Sequence, residues 1–100
     1  MNIYNLSGQY LGFTIQENIF RWDGYFLGWL DTQNFIWDKN GAFRGQLVEQ
    51  SGNHYALKNN FLVLPVARSP RAVPAAPAPI PTPTGPVQPF QTTVGVEDAF

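Results

Sequence analysis

The chain has 100 residues, a formal net charge of −1, 13% charged residues, one histidine and no cysteine. That balance excludes the basic stripe with which nucleic-acid-binding domains neutralise phosphates, and it excludes disulfide staples. No apolar run approaches the roughly 18 residues of a membrane-spanning helix, and MNIYNLSGQY lacks the basic and apolar regions of a secretory leader. A cytoplasmic location is therefore expected.

Taken in chain order, the sequence writes one short unit four times. An aromatic residue precedes a turn residue by four positions at Tyr4 and Gly8, Phe20 and Gly24, Trp37 and Gly41, and Tyr55 and Asn59. A second glycine follows four residues later at Gly12, Gly28 and Gly45, and the aromatics start 16, 17 and 18 residues apart. Each unit is the length of one β-hairpin, which cannot bury its apolar face alone. The first copy, IYNLSGQYLGF, turns at Ser7-Gly8; the second, IFRWDGYFLGWL, turns at Asp23-Gly24; the third, IWDKNGAFRGQL, turns at Asn40-Gly41. These dipeptides suit hairpin turns that need positive φ. In the fourth, HYALKNNFLVL, Asn59 takes the glycine place, and Asn tolerates the left-handed region best among the other residues.

The second glycines are expected where neighbouring backbones crowd or a strand bends. Val63 replaces this glycine in the last copy, which suggests an edge packed differently. Connections at 14–18, 31–35 and 49–53 are short and keep successive hairpins adjacent. No apolar stripe of helical period runs before residue 65. The predicted fold is all-β: four β-hairpin repeats in a compact pseudo-fourfold arrangement, followed by an extended Pro-rich tail. A repeat domain at 1–66, a Pro/Ala-rich linker at 67–89 and a C-terminal peptide at 90–100 are the expected divisions. All but Phe90 and Phe100 of the 15 aromatics fall in the repeats. A domain of that size buries only about 60% of its unfolded surface. Further burial against another subunit or a partner is therefore expected.

The run of IY-x-x-S-G, IF-x-x-D-G and IW-x-x-N-G hairpins, with a proline-containing tail and a terminal aromatic, resembles the four-fold β-flower domain family of small bacterial proteins. The resemblance covers residues 1–64, through Gly8, Gly24, Leu27-Gly28-Trp29 and Asn40-Gly41. It implies hairpins around a pseudo-fourfold axis and no enzymatic activity. Asn59 and Val63 depart from strict repetition.

Residues 70–89 hold eight of the nine prolines, so neither helix nor sheet interior is expected there. An extended polyproline II spacer is predicted, reaching roughly 60 Å at about 3.1 Å per residue. Arg68 and Arg71 are the only basic flanks for a polyproline ligand, and Ser69-Pro70-Arg71 has the form of a short phosphorylation motif. The end, PFQTTVGVEDAF, is apolar again. Phe90, Val94, Val96, Glu97, Asp98 and Phe100 are the predicted partner-binding residues. One turn of helix would place Val96 and Phe100 on one face, with the two carboxylates near its start.

Catalytic and metal chemistry find no support. His54 is the sole histidine, too few for a zinc site, and it aligns with Ile3, Ile19 and Ile36 as a strand residue. Asp23 and Asp38 belong to turns, and the glycines do not open a helix as phosphate loops do. No cofactor is expected. The leading expectation is a non-enzymatic adaptor or linker. Its β domain docks on a second protein or oligomerises, peripheral membrane association being left open, and its tail anchors elsewhere. The layout is similar to a small core-associated linker of cyanobacterial phycobilisomes, which would place the chain at the cytoplasmic face of a photosynthetic membrane. The alternative is a small-ligand or carbohydrate-binding module that stacks sugars on exposed Trp22, Trp29 or Trp37, and burial of these rings argues against it.

Overall fold

The computed structural model describes residues 1–59, 67–74, 77, 83, 85–91 and 95–100. Its regular elements are all strands: β1 (Asn2–Tyr4), β2 (Tyr10–Ile15), β3 (Asn18–Arg21), β4 (Phe26–Leu30), β5 (Phe35–Asp38), β6 (Phe43–Gln50), β7 (Asn53–Asn59) and β8 (Val96–Asp98). Each strand from β1 to β7 pairs antiparallel with the next, and β1 returns to pair with β7, closing a seven-stranded ring. Directions alternate along such a meander, so the first and seventh strands run the same way. The closing pair is accordingly parallel, with Tyr4 opposite Tyr55.

Four loops share one construction. At 5–9, 21–25, 31–35 and 38–42, the N–H of the first residue donates to the carbonyl of the fifth, and the N–H of the fourth donates to the carbonyl of the first. A type I turn followed by a left-handed residue gives this pattern. The left-handed place is held by Gly8, Gly24, Asn34 and Gly41, with φ of 85°, 90°, 64° and 82°. The Oδ1 atoms of Asn5, Asp31 and Asp38 each accept the backbone N–H groups two and four residues ahead. These side chains stand in for missing backbone partners and fix the turn. The reversals at Asp23-Gly24 and Asn40-Gly41 thus lie where the sequence puts them. The 31–35 connection is the same turn again.

The second glycine also has a repeated cause. Register slips by one residue between Ile3 and Tyr4, Ile19 and Phe20, and Ile36 and Trp37. The extra residues are Leu11, Leu27 and Arg44, each one before a second glycine. Such bulges bend and twist a strand, and the bend brings the glycine onto the next hairpin's backbone. A Cβ on Gly28 would stand 2.0 Å from the Trp37 carbonyl oxygen; on Gly12 it would meet Phe20 O at 2.0 Å, and on Gly45, Leu57 O at 2.2 Å.

Successive strand residues face opposite sides, and the Ile-aromatic dipeptides divide the core accordingly. Ile3, Ile19 and Ile36 are wholly buried together with Leu30, Ala56 and Ala99. Burial of each isoleucine contributes about 1.5–3 kcal/mol relative to exposure. On the other face the rings meet neighbour to neighbour: Phe13, Phe20, Phe26, Trp29 and Trp37 in one cluster, Tyr4, Tyr55 and Leu57 in another.

The fourth copy differs from its expected form. Asn59 is not a left-handed turn residue: it ends β7 opposite Val96. The isoleucine place in the core goes to Ala56, after the aromatic Tyr55, and not to His54, which lies 3.4 Å from Glu49. Val63 lies outside the described residues. The C-terminal residues Val96–Asp98 form a strand, not a helical turn, with Leu57, Lys58 and Asn59 opposite Asp98, Glu97 and Val96. The physical reason is the edge. β1 meets β7 only near Tyr55, so beyond that point β7 takes its second ladder partner from β8, and a strand meets that edge where a single turn of helix is costly to nucleate.

Candidate functional site

Met1 and Ile15 are exposed at other places and a cleft of about 320 Å³ lies between Met1, Tyr4 and His54, but the exposed Trp22 and Tyr25 stand at the second hairpin tip, and the described parts of the tail run across the tips. Arg68 N–H donates to Gly41 O at 2.8 Å and Arg71 N–H to Lys39 O at 3.0 Å. Farther on, Val87 N–H donates to Gly8 O at 2.9 Å and Phe90 N–H to Leu6 O at 3.0 Å. Turn carbonyls need donors and proline has none, so the non-proline residues supply them. The described portions of the segment expected as a free spacer therefore lie against the tips as a strap. It touches the third hairpin first and the first hairpin later, before β8 joins β7.

Under the strap's first part lie two tryptophans. Trp29 in β4 and Trp37 in β5 stack at 5.9 Å between ring centroids, 24° apart, and are only 2% and 1% exposed. The Arg71 guanidinium sits 3.7 Å from the Trp29 ring centroid, and that of Arg68 sits 4.7 Å from the Trp37 centroid. Trp37 Nε1 donates to Asp31 Oδ2 at 3.0 Å, and Arg68 Nη2 donates to the same oxygen at 3.2 Å. Arg71 Nη1 donates to Glu17 Oε1 at 2.8 Å. Burial pushes the Asp31 carboxyl up, but hydrogen bonds from Trp37, Gln33 and Phe35 and the Arg68 charge outweigh it and hold the group below its ordinary value.

Beside this stack the second hairpin tip is open. Trp22 and Tyr25 flank Asp23-Gly24 and are 59% and 52% exposed, as Val73 of the strap is at 59%. A cleft of about 300 Å³ is lined by Gly24, Tyr25, Phe26, Lys39, Val73 and Pro74. A second, of about 140 Å³, shares Tyr25, Phe26 and Lys39 and extends to Arg44 and Phe100. Arg21 Nε donates to Asp23 Oδ1 at 2.8 Å, and its guanidinium lies 5.0 Å from the Tyr25 centroid. That hydrogen bond lowers the Asp23 carboxyl to about 2. Asp23 is paired with Arg21, whereas Asp38 accepts only backbone N–H groups and lies in the second cleft beside Lys39 and Arg44, whose Nε donates to Ala99 O at 3.0 Å, so the groove carries charges of both signs.

Of the predicted C-terminal residues, Phe90, Val96 and Asp98 lie along the closing seam of the ring. The Phe90 ring meets Tyr55 edge-on at 5.2 Å, and Val96 packs in the same tyrosine cluster. Glu97 is exposed opposite Lys58. Asp98 Oδ1 accepts Leu6 N–H at 2.6 Å. Phe100 is half-buried against the isoleucine cluster with the Arg44 guanidinium 5.4 Å from its ring centroid. Val94 lies outside the described residues. Of the tryptophans proposed as sugar platforms, Trp29 and Trp37 are buried and only Trp22 is open. The roles of Arg68 and Arg71 were not foreseen. Their signal was two of the six basic residues placed at the mouth of the tail.

Among the described residues, no three His, Asp or Glu side chains stand close enough to hold a metal ion. The geometry offers shape, aromatic surface and charges of both signs. It defines a small closed domain of β-hairpin repeats with shallow clefts at its tips. The chain belongs to the 4-fold beta flower protein family, whose family model matches residues 1–94. The match runs well past the hairpins read from the sequence and takes in much of the tail, so the likeness in layout to an antenna-core linker is not needed to account for the chain. No curated protein and no solved structure matches it.

Proposed function

We propose that this β-flower domain is a non-enzymatic protein-interaction module that docks a partner protein at the second hairpin tip. The observation that carries the reading is the exposure of Trp22 and Tyr25 beside a cleft, held by Arg21 and rimmed by Lys39 and Arg44. Large rings dominate binding hot spots because they bury much area at little entropy cost. The rim carries Asp38 beside Lys39 and Arg44, which favours an apolar segment with polar flanks of both signs. The adaptor role expected from the sequence is retained in this form, with the grip moved from a detached C-terminal peptide to the domain face.

The test is site-specific photo-crosslinking in cells from position 22, with the exposed position 33 on the 31–35 turn as the control. The reading expects one defined partner adduct from position 22 and none from 33. Trp22→Ala/Tyr25→Ala should then reduce binding of the purified partner by tenfold or more while the unfolding midpoint stays put. Equal capture from both positions, or unchanged affinity in the double variant, overturns it.

A further inference from the structure

We propose that the paired indoles of Trp29 and Trp37, with the carboxylates of Asp31 and Glu17, form a receptor site for an arginine-x-x-arginine peptide segment, and that the chain's own Arg68–Arg71 is its resident ligand. The inference does not rest on the docking face at Trp22. It comes from a division of labour between sheet and tail. Every recognition group belongs to the ring or its turns. Trp29 and Trp37 stack across the β4–β5 pair. Asp31 is positioned by Trp37 Nε1 and by the N–H groups of Gln33 and Phe35, so its carboxylate keeps its place without Arg68. Glu17 lies in the β2–β3 turn, and the acceptor carbonyls of Lys39 and Gly41 lie in the third hairpin tip. The ligand groups all belong to the strap.

The chemistry of the contacts is specific to guanidinium. Arginine is planar, weakly hydrated and suited to stacking on an indole face while its edge donates to a carboxylate. Both arginines do both: Arg71 lies on Trp29 and donates to Glu17, and Arg68 lies on Trp37 and donates to Asp31. In an extended chain with three residues per turn, positions three apart share a face. Arg68 and Arg71 both lay their guanidinium groups on the indoles while their side chains stay 49% and 40% exposed, and Ser69 and Pro70 between them are exposed as well. Trp29 Nε1 is buried with no acceptor among the described residues.

A tethered segment competes at an effective concentration on the order of millimolar. A free peptide should therefore bind the wild-type chain poorly and a chain with a weakened strap well. The probe is a fluorescein-labelled peptide ARSPRAV, the chain's residues 67–73, titrated against the full-length protein and against full-length Arg68→Ala/Arg71→Ala, with tryptophan emission as a second readout. The expected result is at least a tenfold tighter peptide affinity for the double variant, a tryptophan spectral change on binding, and no binding of the same peptide carrying citrulline at both arginine positions. If the alanine variant lacks a cooperative unfolding transition, Arg68→Lys/Arg71→Lys replaces it. That variant keeps both charges but gives up the planar stack, and it too should bind the peptide more tightly than wild type. Equal affinity for the wild-type chain and the folded variant, or equal binding of the citrulline peptide, overturns the proposal.

Discussion

Two turn glycines with the same backbone strain but different surroundings isolate the contribution of the strap. Gly24 and Gly41 occupy the left-handed place of equivalent loops, with φ of 90° and 82°. Replacing either by alanine incurs the same conformational cost, about 1–2 kcal/mol for a non-glycine residue in that region. A Cβ on Gly24 meets nothing nearer than a Pro77 side-chain carbon at 4.0 Å, whereas a Cβ on Gly41 would stand 1.8 Å from the Arg68 carbonyl oxygen. That collision cannot be relieved by a rotamer, because the obstacle is backbone. Gly41→Ala must push the strap off the third tip, losing the Arg68 N–H to Gly41 O bond and loosening two guanidinium stacks. A hydrogen bond is worth about 1 kcal/mol net and a partly exposed cation–π contact about 0.5–1 kcal/mol. Gly41→Ala should therefore exceed Gly24→Ala by about 1–2 kcal/mol in urea denaturation followed by tryptophan fluorescence, and limited proteolysis should cut first near Arg68 and Arg71. If the two variants agree within about 0.3 kcal/mol and the tail is cleaved no faster, the strap contributes nothing to the fold and the reasoning fails.

Other consequences are as direct. Gly28→Ala places a methyl 2.0 Å from the Trp37 carbonyl oxygen and should cost about 3 kcal/mol, near the upper range of overpacking. Gly52→Ala, which meets nothing within 4 Å, should cost only its φ strain of about 1 kcal/mol; thermal melts giving the opposite order would refute the close-approach account. Ala99→Leu should cost about 1–3 kcal/mol, since Ala99 is 3% exposed and its Cβ would already lie 3.1 Å from a Cβ on Gly45; a neutral result in chemical denaturation would mean the C-terminal strand does not dock. Asp31 has a folded-state affinity for protons below that of the free side chain. Its stabilisation is thus present above the ordinary carboxylate value of 3.8 and is lost as pH falls toward and through the folded value. Asp31→Asn should flatten the acid limb of the stability curve, and an unchanged limb would count against the Trp37–Asp31–Arg68 arrangement. Ser69→Glu adds a negative charge between two arginines that face Asp31 and Glu17, and faster proteolysis of the strap is the expected outcome.

Much of the ring was legible because its signals are local. Asp23-Gly24 and Asn40-Gly41 announce their turns through backbone conformation alone, and the recurrence of Ile3, Ile19 and Ile36 before an aromatic marks one inward and one outward residue per copy. The second glycines were read as points of crowding, and the bulges at Leu11, Leu27 and Arg44 supply the cause. The fourth copy misled because Asn59 looked like a glycine substitute; the residue that does take that role is Asn34, in a connection treated as a plain link. The closing seam was not legible. Pairing of Val96 with Asn59 joins residues far apart in sequence, and no local preference of a three-residue strand foretells its neighbour. Arg68 and Arg71 were hidden for the same reason, since the indoles they cover are two hairpins away.

The parallel closure of an odd-numbered ring has a kinetic consequence. Six of the seven seams join sequence neighbours and can zip locally, which favours fast folding. The seventh, at Tyr4 and Tyr55, waits for the two ends of the meander to meet. A seam completed after the rate-limiting step leaves folding speed almost untouched when it is weakened and shows instead as faster unfolding. Damage at that junction should accordingly shorten the lifetime of the native molecule far more than it delays its birth.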